Sequence, residues 1–234
     1  MDNTVKEPLI HLSKREDMSF GKKWMVRIIA ILLSLIVCAG FIFIIIKMNP
    51  VEVYEGIVEG AVGTGRRFWV TARDALTLLC VAVAVTPAFK MKFWNIGAEG
   101  QILMGCVASA AMMIYAGNAL PTGLLLVLMF VCSFIAGGIW GIIPAFFKAR
   151  WNTNETLFTL MLNYVAMQVV TFCIVYWENP AGSNSVGIIN ASTRAGWLPQ
   201  LFGLDYGWNL AIVLLLTVLM FIYMKRTKHG YEIE

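Results

Sequence analysis

Of the 234 residues, 59% are apolar and 14% charged, where an ordinary soluble domain carries about 25% charged residues. Mean hydropathy is +0.74, and the 48 residues between Glu99 and Lys148 contain no Asp, Glu, Lys or Arg. That run excludes a water-soluble fold and fits two membrane helices of about 20 residues each. The net charge of +4 does not point to nucleic acid, because the basic residues flank apolar spans instead of forming a patch.

An all-α membrane protein of six spans is therefore expected. A polar tail, residues 1–23, lacks a small-residue cleavage site after a short apolar core, so a cleaved signal is not expected there. The first span covers residues 24–46, and a polar interval from Lys47 to Arg67 follows. The second, residues 71–89, has Pro87 near its end. The third is 101–117, and Asn118 to Pro121 supplies a turn before the fourth, 122–147. The fifth, 156–177, is uncharged throughout. A loop rich in Gly, Asn, Ser and Pro leads to the sixth, 206–224, and residues 225–234 form a second polar tail.

An even number of spans puts both ends on one side, and the bias of Lys and Arg selects the cytoplasm. With both termini inside, thirteen basic residues are cytoplasmic. Five, Lys47, Arg66, Arg67, Arg73 and Arg194, are external.

Residue spacing then indicates which helix faces matter. Gln101, Gly105 and Ser109 share one face of the third span, and Ser133, Gly137 and Gly141 one face of the fourth. Small faces let helix backbones approach closely in lipid, so both are read as packing surfaces. On the fifth span Glu155, Thr159, Asn163 and Thr171 form a polar stripe. Such a stripe in a bilayer faces a bundle interior or a pathway. For Asn163, an interhelical hydrogen bond and a pathway-lining role both fit. Glu155 also suits a helix amino terminus, where the dipole favours a carboxylate.

The segment from Phe93 to Gln101 places Asn95, Gly97, Glu99, Gly100 and Gln101 between two apolar spans. This composition suits an interrupted or re-entrant backbone that is buried in protein or lines a cavity. Signatures of covalent chemistry are missing. His11 and His229 lie in the tails, and the five cysteines sit in separate spans without metal or redox spacing. There is no nucleophile elbow and no phosphate-binding glycine loop. No metal or cofactor is expected, and any ATP would be bound by another chain.

Residues 93–101, Phe-Trp-Asn-Ile-Gly-Ala-Glu-Gly-Gln, resemble the FNIGAEGQ signature of permease subunits of bacterial ABC importers for nucleosides and simple sugars. Trp94 stands where that family usually has Phe, and Asn95 to Gln101 match fully. The stretch from Asn154 to Ala166 resembles the family's NEVISTIMLNYIA helix, keeping Asn154, Glu155, the run Met161-Leu162-Asn163-Tyr164 and Ala166. Thr227 to Ile233 is similar to its T-x-x-G-Y-E-I stretch. An INFA-like stretch replaces NIGAEG in branched-chain amino acid permeases, so the residues here argue against that neighbour.

The resemblance implies a type II importer of the bacterial plasma membrane. Two permease subunits would work with cytosolic ATPases and an external solute-binding lipoprotein. It also implies that Asn95 to Gln101 border the pathway and that Asn163 is a pathway or gate residue; the polar stripe adds Thr159. Family members continue into a coupling helix and further spans, so the chain is expected to be the front part of a longer permease. The alternatives are the six-span solute-binding component of a vitamin importer and a nonfunctional permease fragment. The first is disfavoured by Ala30 and Ser34, where an Ala-x-x-x-Ala face is usual.

Overall fold

The computed structural model describes residues 19–201 and 207–233, and every regular element among them is a helix. Six helices are long and apolar enough to cross a membrane. The chain divides into two compact units, Met1–Phe68 and Trp69–Glu234.

The first unit begins with α1, Phe20–Phe41, which widens into a π-helical turn, Ile42–Ile46. Lys47, in the left-handed region at φ 58°, ends it. The interval from Lys47 to Arg67, read as merely polar, holds a further helix, α2, Pro50–Val62. The Asn49 side chain accepts from Val51 N–H at 3.1 Å and donates to Glu52 at 3.2 Å. Pro50 occupies the first turn, where its missing N–H costs nothing. Three glutamates and three glycines within 49–63 hide this signal, and 13 residues are too few to span a bilayer. The six-span count therefore stands.

Helix α3, Gly65–Lys90, includes the expected second span and starts earlier, taking Arg66 and Arg67 into its first turn. Similarly α5, Thr122–Trp151, continues past Phe147 to include Lys148 and Arg150. Charge limits the lipid-compatible stretch but not the helix, and cations in a last turn complement the dipole. The other long helices are α4, Ala98–Ala116; α6, Glu155–Tyr176; and α7, Gly207–Arg226. Tyr206, the expected start of the sixth span, lies outside the described residues, as do His11 and the first 18 residues.

In the second unit α4 packs chiefly on α5 and then on α6. The two small faces inferred separately from sequence meet each other. Ser133 Oγ donates to the Gly105 carbonyl at 2.9 Å and is hydrogen-bonded to Ser109. A Cβ on Gly137 would stand 3.1 Å from the Gln101 carbonyl oxygen. Glycine at this crossing thus sets how closely the helices approach.

At the far end of α4 a long loop folds over the turn between α4 and α5. Asn190 Nδ2 donates to the carbonyls of Met113 and Ala195, at 2.8 and 3.1 Å, satisfying a carbonyl of the last turn of α4. Gly196, at φ +80°, passes over Met113, Met129 and the fully buried Leu125. Trp177 Nε1 donates to the Tyr115 hydroxyl at 2.8 Å.

The stretch resembling T-x-x-G-Y-E-I is helical. Thr227 Oγ1 accepts from Gly230 N–H at 3.0 Å, and α8, Lys228–Ile233, turns back on α7. A Cβ on Gly230 would lie 2.4 Å from the carbonyl oxygens of Tyr223 and Met224, so only glycine fits.

Candidate functional site: a polar latch between the α3–α4 link and α6

Helix α3 ends at Lys90, and the backbone is non-helical from Met91 to Gly97 before α4 begins. The non-helical stretch is confined to this link, and Glu99, Gly100 and Gln101, expected in the break, belong to the first turn of α4. Asn95 organises the link locally, its Oδ1 accepting from Gly97 N–H at 2.9 Å. A side chain doing this mimics a backbone turn and occupies a donor that a helix start would leave open.

Helix α6 supplies the other half. Asn154 caps it, accepting from Leu157 N–H at 3.1 Å. This sets Glu155, Thr159 and Asn163 on one face, one turn apart. Glu155 pairs with Lys148 at 2.9 Å, tying the end of α5 to the start of α6. Thr159 Oγ1 accepts from Ile96 N–H at 3.3 Å and donates to the Thr156 carbonyl at 3.1 Å. Asn163 spans the gap with both ends of its amide. Nδ2 donates to the Ile96 carbonyl at 3.0 Å and Oδ1 accepts from Gly100 N–H at 2.9 Å. Thr159 is fully buried and Asn163 is 4% exposed.

Gly97 at the end of the link and Gly100 in the first turn of α4 both sit at close approaches. A Cβ on Gly97 would meet Asn95 Oδ1 at 3.0 Å and Thr159 Cβ at 3.1 Å. On Gly100 it would stand 2.8 Å from Asn163 Oδ1 and 2.9 Å from Trp140 Nε1.

Five of the seven residues singled out from sequence, Asn95, Gly97, Gly100, Thr159 and Asn163, thus meet in one hydrogen-bonded cluster. Gln101 points instead into the α4–α5 seam, where its side-chain amide faces Gly141. Glu99 is exposed on the first turn of α4. Thr171 does not join the stripe. It is exposed, and its hydroxyl donates to the Met167 carbonyl of its own helix at 2.9 Å.

Sequence reasoning missed the backbone of Ile96, because carbonyl and amide groups leave no trace in residue identity. It also missed Trp140, whose place one residue before Gly141 on the small face of α5 was the available signal.

Chemically the cluster offers neutral amides and hydroxyls, which bind and orient by hydrogen bonding. Among the described residues no three His, Cys, Asp or Glu side chains come together. A separate cavity of about 150 Å3 lies between α4, α6 and the long loop. Leu103, Val107, Val170, Ile174, Val186 and Ile189 are among its lining residues, and none of the seven sequence-derived residues is.

Six helices long and apolar enough to cross a membrane define a multi-pass membrane protein. Residues 69–234 match the family model described as the permease component of branched-chain amino acid transport systems, and the chain belongs to that family. The match coincides with the second compact unit.

Among curated proteins the chain is 29% identical over 223 residues to a nucleoside ABC transporter permease protein of Lactococcus lactis, covering 91% of the chain and 60% of the relative. It is 29% identical over 217 residues to a guanosine ABC transporter permease protein of Bacillus subtilis, covering 90% and 60%. A glucose ABC transporter permease protein of Haloferax volcanii is 26% identical over 212 residues, covering 86% and 55%. The chain therefore spans less than two thirds of the length of these relatives. No solved structure is a significant match.

Proposed function

We infer that this chain forms part of the permease subunit of an ABC importer that carries a nucleoside or simple sugar across the bacterial plasma membrane. The family's description names an amino-acid cargo, but the relatives above are named for nucleoside, guanosine and glucose. The observation that carries the reading is the latch. The non-helical link is hydrogen-bonded through the Ile96 backbone to the buried Thr159 and Asn163, and irregular backbone is tolerated in a membrane only inside protein or beside a cavity. On this reading the link and the first turn of α4 border the solute route. Both ends of the bundle face the cytoplasm, where α8 lies close to the ATPase. Hydrolysis of ATP belongs to that separate cytosolic subunit. An external binding protein delivers the solute, and a second permease subunit completes the pathway.

The test is uptake by the complete assembly in a strain lacking its own nucleoside and sugar importers. Labelled guanosine, ribose and glucose are supplied in turn. ATP-dependent accumulation of one of them is expected. An assembly present in the membrane that accumulates branched-chain amino acids instead would overturn the cargo assignment. One that accumulates nothing would overturn the importer reading.

A further inference from the structure

Trp140, on α5, buries its indole Nε1–H with no hydrogen-bond partner among the described residues. Indole is a donor only, and a buried Trp normally finds an acceptor, since an orphaned donor forfeits its whole solvation. A spare acceptor lies close by. Asn163 Oδ1 has two lone pairs, and Gly100 N–H is the donor it is seen to accept. Trp140 Nε1 and Asn163 Oδ1 lie 2.9 and 2.8 Å from one point, the place where a Gly100 side chain would begin. Donor and acceptor are thus at most about two hydrogen-bond lengths apart. That point is empty because Gly100 has no side chain, and it is the Gly100 N–H that holds Asn163 Oδ1.

We propose that Trp140 is the second donor to Asn163: when the first turn of α4 leaves α6, the indole N–H takes the Oδ1 that Gly100 vacates. The exchange trades one buried hydrogen bond for another. Release of α4 then leaves Asn163 satisfied at both ends, with Nδ2 still on the Ile96 carbonyl. Without the indole N–H, every opening of the latch strands a buried amide oxygen. Trp140 is on this account a positioning residue that sets how often the α4 start detaches. The inference rests on the geometry of two side chains and two backbone groups, so it stands or falls separately from the importer reading.

Hydrogen exchange at the Gly100 amide, followed by mass spectrometry on the full permease assembly in lipid nanodiscs, measures the opening directly. In Trp140→Phe the released state loses its compensating hydrogen bond, and exchange at Gly100 should slow about tenfold, the worth of one net hydrogen bond. A structural role alone predicts the opposite, because the smaller ring loosens packing and speeds exchange. Replacement of the Trp140 indole by benzothiophene, which keeps the shape but lacks the N–H, provides the same reading if the Phe variant folds poorly. Slower exchange in either variant supports the hand-over, and unchanged or faster exchange in both overturns it.

Discussion

Asn163 and Gly100, 63 positions apart in the chain, are joined by a 2.9 Å hydrogen bond between a side-chain carbonyl and a backbone N–H. Because the same amide donates to the Ile96 carbonyl at 3.0 Å, one residue of α6 satisfies both sides of the break that precedes α4. The neighbouring Thr159 holds the Ile96 N–H. The α3–α4 link is therefore fixed from outside itself, by two side chains one helical turn apart.

Replacing Asn163 by Leu keeps the volume of the side chain and removes both hydrogen bonds. Gly100 N–H then loses its partner in a buried site, at a cost of about 1–3 kcal/mol, and Ile96 C=O loses its partner in a part-buried one, at a smaller cost. The expected outcome is a clear fall in the thermal unfolding midpoint of the detergent-solubilised assembly, with faster proteolysis of the link. Thr159→Val removes one weaker contact, at 3.3 Å, and should cost less. Equal losses for the two variants would mean that Asn163 is not the main fastener.

Glycine positions on the same helices offer a sharper comparison. Gly100→Ala forces a Cβ to within 2.8 Å of Asn163 Oδ1 and 2.9 Å of Trp140 Nε1, so α4 must draw away from α6. Gly138→Ala meets nothing within 4 Å and should be neutral or stabilising, by up to about 1 kcal/mol of helix propensity. Thermal midpoints of the two variants should move in different directions or by very different amounts. A Gly100→Ala protein as stable as wild type would show that the latch is looser than its geometry implies.

Much of this arrangement was legible in the residues. The spans follow from apolar length, and the α4–α5 seam from small residues four apart, whose two faces proved to be each other's partners. The polar stripe was visible through Glu155, Thr159 and Asn163, but spacing alone could not choose between a hydrogen-bonding and a pathway-lining role. What lay hidden shares one cause. Asn163 is satisfied by the backbone of Ile96 and Gly100, and backbone groups are common to every sequence. Thr171 continues the same helical spacing yet bonds within its own helix, because periodicity defines a face but not what lies opposite each turn. Helix α2 was masked by its own glutamates and glycines, although Asn49-Pro50 is a helix-start signal.

The α4–α5 seam can be tested by distinguishing rigid from yielding neighbours. On Gly137 a Cβ would stand 3.1 Å from the Gln101 backbone oxygen, and on Gly141 3.1 Å from the Gln101 side-chain amide. A side chain can swing aside but a helix backbone cannot, so Gly137→Ala should be the more damaging. Overpacking of this kind typically costs about 1–3 kcal/mol. The order is read from thermal midpoints of the two variants in one detergent, and the reverse order would contradict the close crossing at Gly137.

Glu99 separates the structural role of the link from a transport role, because it is exposed on the first turn of α4 and takes no part in the latch. If the first turn of α4 borders the solute route, Glu99→Ala in the full-length assembly should lower uptake while leaving the unfolding midpoint unchanged. Asn95→Ala and Asn163→Ala should lower uptake as well, and there the rate must be normalised to folded assembly in the membrane, since both residues also hold the link. Glu99→Gln distinguishes charge from size at the same position: a loss matching that of alanine assigns the effect to the carboxylate charge. Unchanged uptake per folded assembly in all the variants would leave fastening of α4 to α6 as the only supported role of this segment, and would place the solute route elsewhere in the bundle.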